Sequence, residues 1–284
     1  MVRFSISEFS TYRWSLEQEV TELSRRGIQN IGVWRAKYSD FDSDYATDLL
    51  YLNDLRVSSL SWAGGFTGSC GMSHEQAIED GIAAIRTAAR IGAECLIVHP
   101  GNRGNHTRRH CRRLFSKAIE RMLPAAADFG VTLAMEAMSR QNSSAWTVFD
   151  SEEEALSFAC DYLPQELGIV LDLFHIGNNS AVFEAVPSII PRIALVQLAD
   201  RSEHDSRSCR CRPGTGNLPV QTWFNMLEDN GYRGLYEIEV FGPLYGALRY
   251  RQLLDDCAQS FRLLKSRNLT HHRASATQSS ANLD

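Results

Sequence analysis

Residues 127–136 read Ala-Asp-Phe-Gly-Val-Thr-Leu-Ala-Met-Glu: a helix end, a glycine, then a short apolar run that stops at the carboxylate of Glu136. The same order returns in SRRGIQNIGV (24–33), ARIGAECLIV (89–98) and EDNGYRGLYEIE (228–239). Gly27, Gly92, Gly130 and Gly231 stand where helices should end, because glycine best tolerates the backbone that closes a helix. Working outward, strand patterns fall at Val2–Ser7, Asn30–Trp34, Val57–Trp62, Cys95–His99, Val131–Glu136, Gly168–Asp172, Ile193–Leu198 and Leu235–Glu239. Helical patterns lie between them at Ser15–Arg26, Asp44–Leu55, Ser73–Ile91, Thr107–Phe129, Ser151–Asp161, Ala181–Ile190 and Val220–Asn230, with a last one at Leu244–Lys265. Their apolar residues recur three and four apart, as in Ile78, Ile82, Ile85 and Ala89. Ser15 with Gln18, and Ser151 with Glu154, have the spacing of capping boxes.

Eight strand–helix units predict an α/β protein of one domain, a closed (β/α)₈ TIM barrel over residues 1–266. An open dinucleotide-binding sheet is disfavoured, because no G-x-G-x-x-G follows the first strand. From Asn268 the chain turns polar and loses periodicity, so residues 267–284 are expected to form a disordered tail.

The chain has 284 residues, 44% of them hydrophobic and 22% charged, the composition of a soluble globular protein. A net charge of −5 and a pI near 5.9 argue against nucleic acid as a partner. The basic run Arg108, Arg109, Arg112, Arg113 is local and reads as a solvated helix face. No apolar stretch is long enough to span a bilayer, and MVRFSISEFS has no signal-peptide core, so no membrane partner is expected. Seven scattered cysteines, several in apolar runs, fit a reduced, cytoplasmic protein. The spacing of Cys209, Cys211 and His204 does not suit a zinc knuckle.

Alternation along a strand decides which side chains face inward. In the fifth strand these are Thr132, Ala134 and Glu136; in the sixth Gly168, Val170 and Asp172; in the seventh Ile193, Leu195 and Gln197; in the last Leu235, Glu237 and Glu239. Three carboxylates and an amide thus converge on the C-terminal rim, where barrel enzymes place their active sites. Carboxylates gathered away from water repel one another unless a cation lies between them. Oxygen donors favour Mn²⁺ or Mg²⁺, with Co²⁺ or Zn²⁺ also compatible.

At these residues the chain resembles the xylose-isomerase-like sugar isomerases and epimerases, from about Ser73 to Phe261. LAMEAMSR is similar to that family's strand-five Glu motif and VLDLFHIGNN to its Asp-x-x-His motif. LVQLADRSEHDSRSCRCRPGTGNL is similar to the segment that ends in Pro-Gly-x-Gly, and NGYRGLYEIEVFGP to the closing Glu segment. The resemblance implies one divalent ion held by Glu136, Asp172, Gln197 and Glu239, with Glu237 the rival of Glu239. Many relatives carry His on strand seven; Gln197 brings the chain nearer the hydroxypyruvate-isomerase-like branch than the ketose 3-epimerase-like one. It further implies that His99 and His175 contact substrate, as does Arg210 or Arg212. Asp200 is expected to support the ligands, and Trp34 and Trp62 to wall the pocket.

The implied activity is a metal-dependent isomerisation or epimerisation of a small hydroxy-carbonyl compound or keto-sugar. It runs by proton abstraction beside the carbonyl through an enediolate, with Glu136 and Glu239 as acid and base. The alternatives are a dehydratase of the inosose or 3-dehydroshikimate type and, further off, DNA repair at abasic sites. Relatives pair through outer helices, which makes a homo-oligomer an expectation.

Overall fold

The structure, a computed structural model, describes residues 3–68, 71–202, 209–242 and 249–281. Eight strands form the barrel: β1 Phe4–Ser7, β2 Asn30–Trp34, β3 Arg56–Gly64, β4 Cys95–His99, β5 Thr132–Glu136, β6 Leu167–Asp172, β7 Ile193–Leu198 and β8 Tyr236–Ile238. Each is parallel to its neighbours, and β8 pairs with β1 to close the sheet. Long helices follow the strands, at Leu16–Arg25, Ser43–Leu52, His74–Arg90, Arg108–Phe129, Glu152–Ala159, Ser180–Ile189, Val220–Asp229 and Tyr250–Ala281. The α/β TIM barrel read from the sequence is therefore the observed fold.

Sequence chemistry explains the punctuation. Gly27, Gly92, Gly130 and Gly231 all take positive φ, and Gly130 caps its helix in the left-handed conformation. Ser15 and Ser151 cap their helices by accepting from the backbone N–H groups of Gln18 and Glu154. At the second cap the Glu154 carboxylate turns to the N–H of Asp150. The reciprocal capping box is complete instead at Ser73 with Gln76. The start expected for the last helix, Leu244, lies outside the described residues. Its far end differs from expectation, since the backbone of residues 268–281 continues the helix from Tyr250.

The two faces of the strands sort as alternation demands except at Ile193, expected inward but placed in the outer core by a register shift at the start of β7. Leu133, Met135, Ile169, Leu171, Val196 and Leu198 face the helices in the large outer core. Cys95, Ile97, Ala134, Val170, Leu195 and Leu235 fill the barrel interior. Cys95, Cys111, Cys160, Cys209, Cys211 and Cys257 are free thiols. Among the described residues no helix is long and apolar enough to cross a membrane.

A buried ion cluster ties the first loop to the second. Lys37 Nζ lies 2.6 Å from Glu19 Oε2 and 3.6 Å from Glu8 Oε1, and donates to the carbonyls of Glu8 and Thr11. Glu8 accepts in turn from the Trp34 N–H at 2.7 Å. Burial and the neighbouring Glu19 charge push the Glu8 carboxyl up to about 8, against the pull of Lys37. A carboxyl whose pKa is raised on folding stabilises the protein most below its unfolded value and loses that contribution as pH rises through the folded one. The window here runs from 4.5 to about 8. Glu8→Gln cannot ionise, so its thermal midpoint, followed by circular dichroism, is expected to decline less across this range than that of the parent chain. Equal slopes would show that Glu8 is already ionised at the low end.

Candidate active site

The C-terminal ends of β4 to β8 bring His99, Glu136, Asp172, Gln197 and Glu239 to one rim. Asp172 stands opposite Gln197 in the β6–β7 register, and Gln197 opposite Glu237 in the β7–β8 register. Glu239 lies one residue beyond β8, held by its N–H on the Leu198 carbonyl.

At Asp172 and Glu239 one carboxylate oxygen is tethered and the other turned toward a common centre. Asp172 Oδ1 accepts from the Phe174 N–H at 2.9 Å. Asp172 Oδ2 lies 2.6 Å from Arg210 Nη2 yet receives no aligned hydrogen bond. Glu239 Oε2 accepts from Gln197 Nε2 at 2.9 Å and Ser7 Oγ at 3.2 Å, while its Oε1 is 3.5 Å from Arg210 Nη2. The Glu136 oxygens face two imidazoles, Oε1 at 3.5 Å from His175 Nε2 and Oε2 at 3.6 Å from His99 Nε2. Gln197 Oε1 is buried with no hydrogen-bond partner.

The electrostatics follow from this crowding. Burial first, then the charges of Asp172 and Glu239, hold the Glu136 carboxyl well above the carboxylate range. Burial pushes Glu239 up to about 7, with Arg210 opposing it. Burial pulls His99 down to about 3 and His175 to about 4, so both imidazoles are neutral at physiological pH. Burial works against the Arg210 charge, but Asp172 and Glu239 outweigh it and raise the guanidinium further.

Arg210 reaches the centre from a two-stranded ribbon, Asp200–Arg201 paired with Arg210–Cys211. Its guanidinium is stacked between the rings of Phe174 at 4.6 Å and Phe241 at 4.9 Å. The alternative, Arg212, follows the ribbon and turns outward to Asp256 at 3.6 Å. Asp200 does not reach the ligand set as expected. Its carboxylate accepts from the N–H groups of Arg201, Gly214, Gly216 and Leu218, and so fastens the Pro-Gly-x-Gly turn to the ribbon. Gly216 is obligatory there, since a Cβ would lie 2.1 Å from the Arg201 carbonyl oxygen.

Glu136 and Glu239 form one side of a cavity of about 570 Å³, a size suited to a small metabolite. Trp62, Trp146, Phe9 and Phe241 wall the other side, with Ser143 near His175. Trp34 is not part of this wall; it packs on Phe9 with ring centres 4.9 Å apart. Phe241 and Phe9 could have been found from sequence, because each lies two residues beyond an inward rim position, Glu239 and Ser7. Ser143 ends the short helix Arg140–Ser143 and Trp146 follows it in a turn, with no period to read. His204 lies outside the described residues, so the Cys209–Cys211–His204 grouping is not described; both cysteines are buried.

Two carboxylates and an imidazole, without Glu239, form a group that could hold a cation. Glu136, Asp172 and His175 offer ligand atoms that all lie within 4.8 Å of one another. The free oxygens of Asp172 and Glu239 already gather around the cationic Arg210 nitrogen, and the Gln197 oxygen is unpartnered.

Fold and site together define a rim-site α/β barrel with an acid-and-amide cluster. Residues 20–266 match the family model described as xylose isomerase-like TIM barrel, and the chain belongs to that family. It is similar to the solved structure of a protein from Sinorhizobium meliloti 1021, at 22% identity and TM-score 0.84 over 92% of this chain and 98% of that one. The IolI protein with a bound zinc atom matches at 15% identity and TM-score 0.81, covering 94% of this chain and 99% of its own. An L-ribulose 3-epimerase matches at 18% identity and TM-score 0.78, covering 97% and 98%.

Proposed function

We propose that this protein isomerises or epimerises a small hydroxy-carbonyl compound or keto-sugar, using one divalent cation. The observation that carries the reading is the set of partly tethered oxygens converging at the rim beneath an aromatic-walled cavity. Asp172, Gln197, Glu136 and Glu239 would hold the ion, Mn²⁺ or Mg²⁺ by their donor type, with zinc or cobalt compatible. The bound ion supplies Lewis-acid polarisation of a carbonyl oxygen.

The chain's own groups supply the rest. Glu136 and Glu239 take a proton from the carbon beside the carbonyl and return it, to the neighbouring carbon for isomerisation or to the opposite face for epimerisation. His99 and His175 are neutral at pH 7 and hold substrate oxygens without adding charge. Arg210 offers the guanidinium for a substrate oxygen once the acids have the cation. The rings of Trp62, Trp146, Phe9 and Phe241 exclude water from the carbon that loses its proton. Enzymes with activities of this kind, an L-ribulose 3-epimerase and a D-allulose 3-epimerase, share the fold.

The test is a screen of keto-sugars and hydroxy-aldehydes in deuterated water with Mn²⁺-loaded protein, read by NMR. Deuterium is expected at the carbon beside the carbonyl, and chelation with EDTA is expected to stop its uptake. Loaded protein that exchanges no such proton across the panel would count against the proposal.

A further inference from the structure

We infer that Glu237 is a positioning residue that sets the orientation of the Gln197 amide. The inference rests on the reading of Gln197 as a ligand of the divalent cation. Glu237 faces the barrel axis and is completely buried, two residues before Glu239 on the same side of its strand. Both of its oxygens are already engaged. Oε2 accepts from Ser58 Oγ at 2.6 Å and from Ser59 Oγ at 2.8 Å, and Oε1 accepts from Gln197 Nε2 at 3.0 Å. Ser58 is held in turn by Ser5 at 2.6 Å. This occupancy removes Glu237 from the ligand set and gives it a different task.

That task follows from the asymmetry of an amide. A carboxylate only accepts, so a side-chain amide facing it must present its NH₂ and turn its oxygen away. Gln197 is caught between two such acceptors, donating to Glu237 at 3.0 Å and to Glu239 at 2.9 Å. Both N–H bonds are thereby used, and Oε1, buried and without a protein partner, is the end left to bind. With an apolar residue at 237 the amide could turn over and offer its NH₂ to the cation. Space for Glu237 is built in from β2, the next strand but one around the barrel. A Cβ on Gly32 would lie 2.3 Å from Glu237 Oε2, so β2 carries a glycine where the carboxylate crosses the interior.

Isothermal titration of chelator-stripped protein with Mn²⁺ tests the assignment. Groups that orient a metal ligand typically change affinity by about 10–100-fold when removed. Glu237→Met is expected to weaken Mn²⁺ binding by that factor. Glu237→Gln still presents an oxygen to the Gln197 amide and its own NH₂ to Ser58 and Ser59, so it is expected to bind within about threefold of the parent. In a Gln197→Ala background, Glu237→Met is expected to add nothing, because no amide remains to orient. Circular dichroism in EDTA checks the fold, and Glu237→Val carries the same expectations should Met not be accommodated. Parent-like binding by Glu237→Met, or an equal loss in both backgrounds, overturns the role of Glu237 and leaves the cation site standing. Failure of the parent protein to bind Mn²⁺ overturns both.

Discussion

Replacing Glu136 by Gln is expected to lower kcat by about 10²–10⁴-fold, the usual worth of a positioned acid or base, while the barrel stays folded. Gln keeps the size of the side chain and one oxygen, but it cannot take up or release a proton. Glu136 is suited to proton transfer by its surroundings. Its two oxygens face His175 at 3.5 Å and His99 at 3.6 Å, and both imidazoles are neutral at physiological pH. Burial and the neighbouring acids hold its carboxyl high, against the opposing charge of Arg210. The proposed cation would reverse the part of that shift due to repulsion between the acids. Glu239→Gln is expected to fall into the same range, because Glu239 occupies the corresponding position on the far side, tethered by Ser7 and Gln197. Neither change leaves a buried charge without a partner, so the thermal midpoint is expected to hold or rise. The measurement is steady-state turnover on the compound found by exchange, beside thermal unfolding. A Glu136→Gln protein with more than about a tenth of the parent activity would refute its role in proton transfer.

The barrel and most of its rim were legible because both follow from short-range rules. Helix termination at Gly130 and the alternation of Thr132, Ala134 and Glu136 depend only on nearby residues, and the structure places Ala134 inside the barrel and Leu133 against the helices. The same alternation left Glu237 and Glu239 equivalent. What separates them is the closing of the sheet, which puts Ser58 and Ser59 of β3 against Glu237. Arg210 and Arg212 were likewise equivalent by spacing; the ribbon with Asp200 and Arg201 points one inward and releases the other. Asp200 was misread because a carboxylate beside a ligand strand looks the same whether it faces a metal ligand or a turn. The Glu8–Lys37–Glu19 cluster gave no signal, since its members belong to different elements and no period links them.

Asp172→Ala is expected to be the most damaging single change to stability in the cation-free protein. Asp172 is fully buried, and its Oδ2 lies 2.6 Å from the Arg210 guanidinium, itself 4% exposed between two aromatic rings. The remaining acid near that nitrogen, Glu239, is 3.5 Å away and already accepts from Gln197 and Ser7. Removing the nearer partner of a buried pair leaves the Arg210 charge facing only the more distant Glu239 Oε1, a loss of about 3–5 kcal/mol. The Phe174 N–H also loses its acceptor, where the short helix after β6 begins. In a chain of this size about 2–4 °C of thermal midpoint is lost per kcal/mol, so a drop on the order of 10 °C is expected in EDTA. Arg210→Met in the same background removes the stranded charge with a side chain of similar length, and should restore most of the loss. The two changes therefore act as a coupled pair rather than adding. On the proposed cation site their effects on Mn²⁺ uptake should part company: Asp172→Ala would abolish it by removing a ligand, whereas Arg210→Met would leave the donor oxygens in place and free them of a competing cation. A midpoint for Asp172→Ala within about 3 °C of the parent, well below the shift that 3–5 kcal/mol implies, would show that the pair is not held together in the cation-free protein.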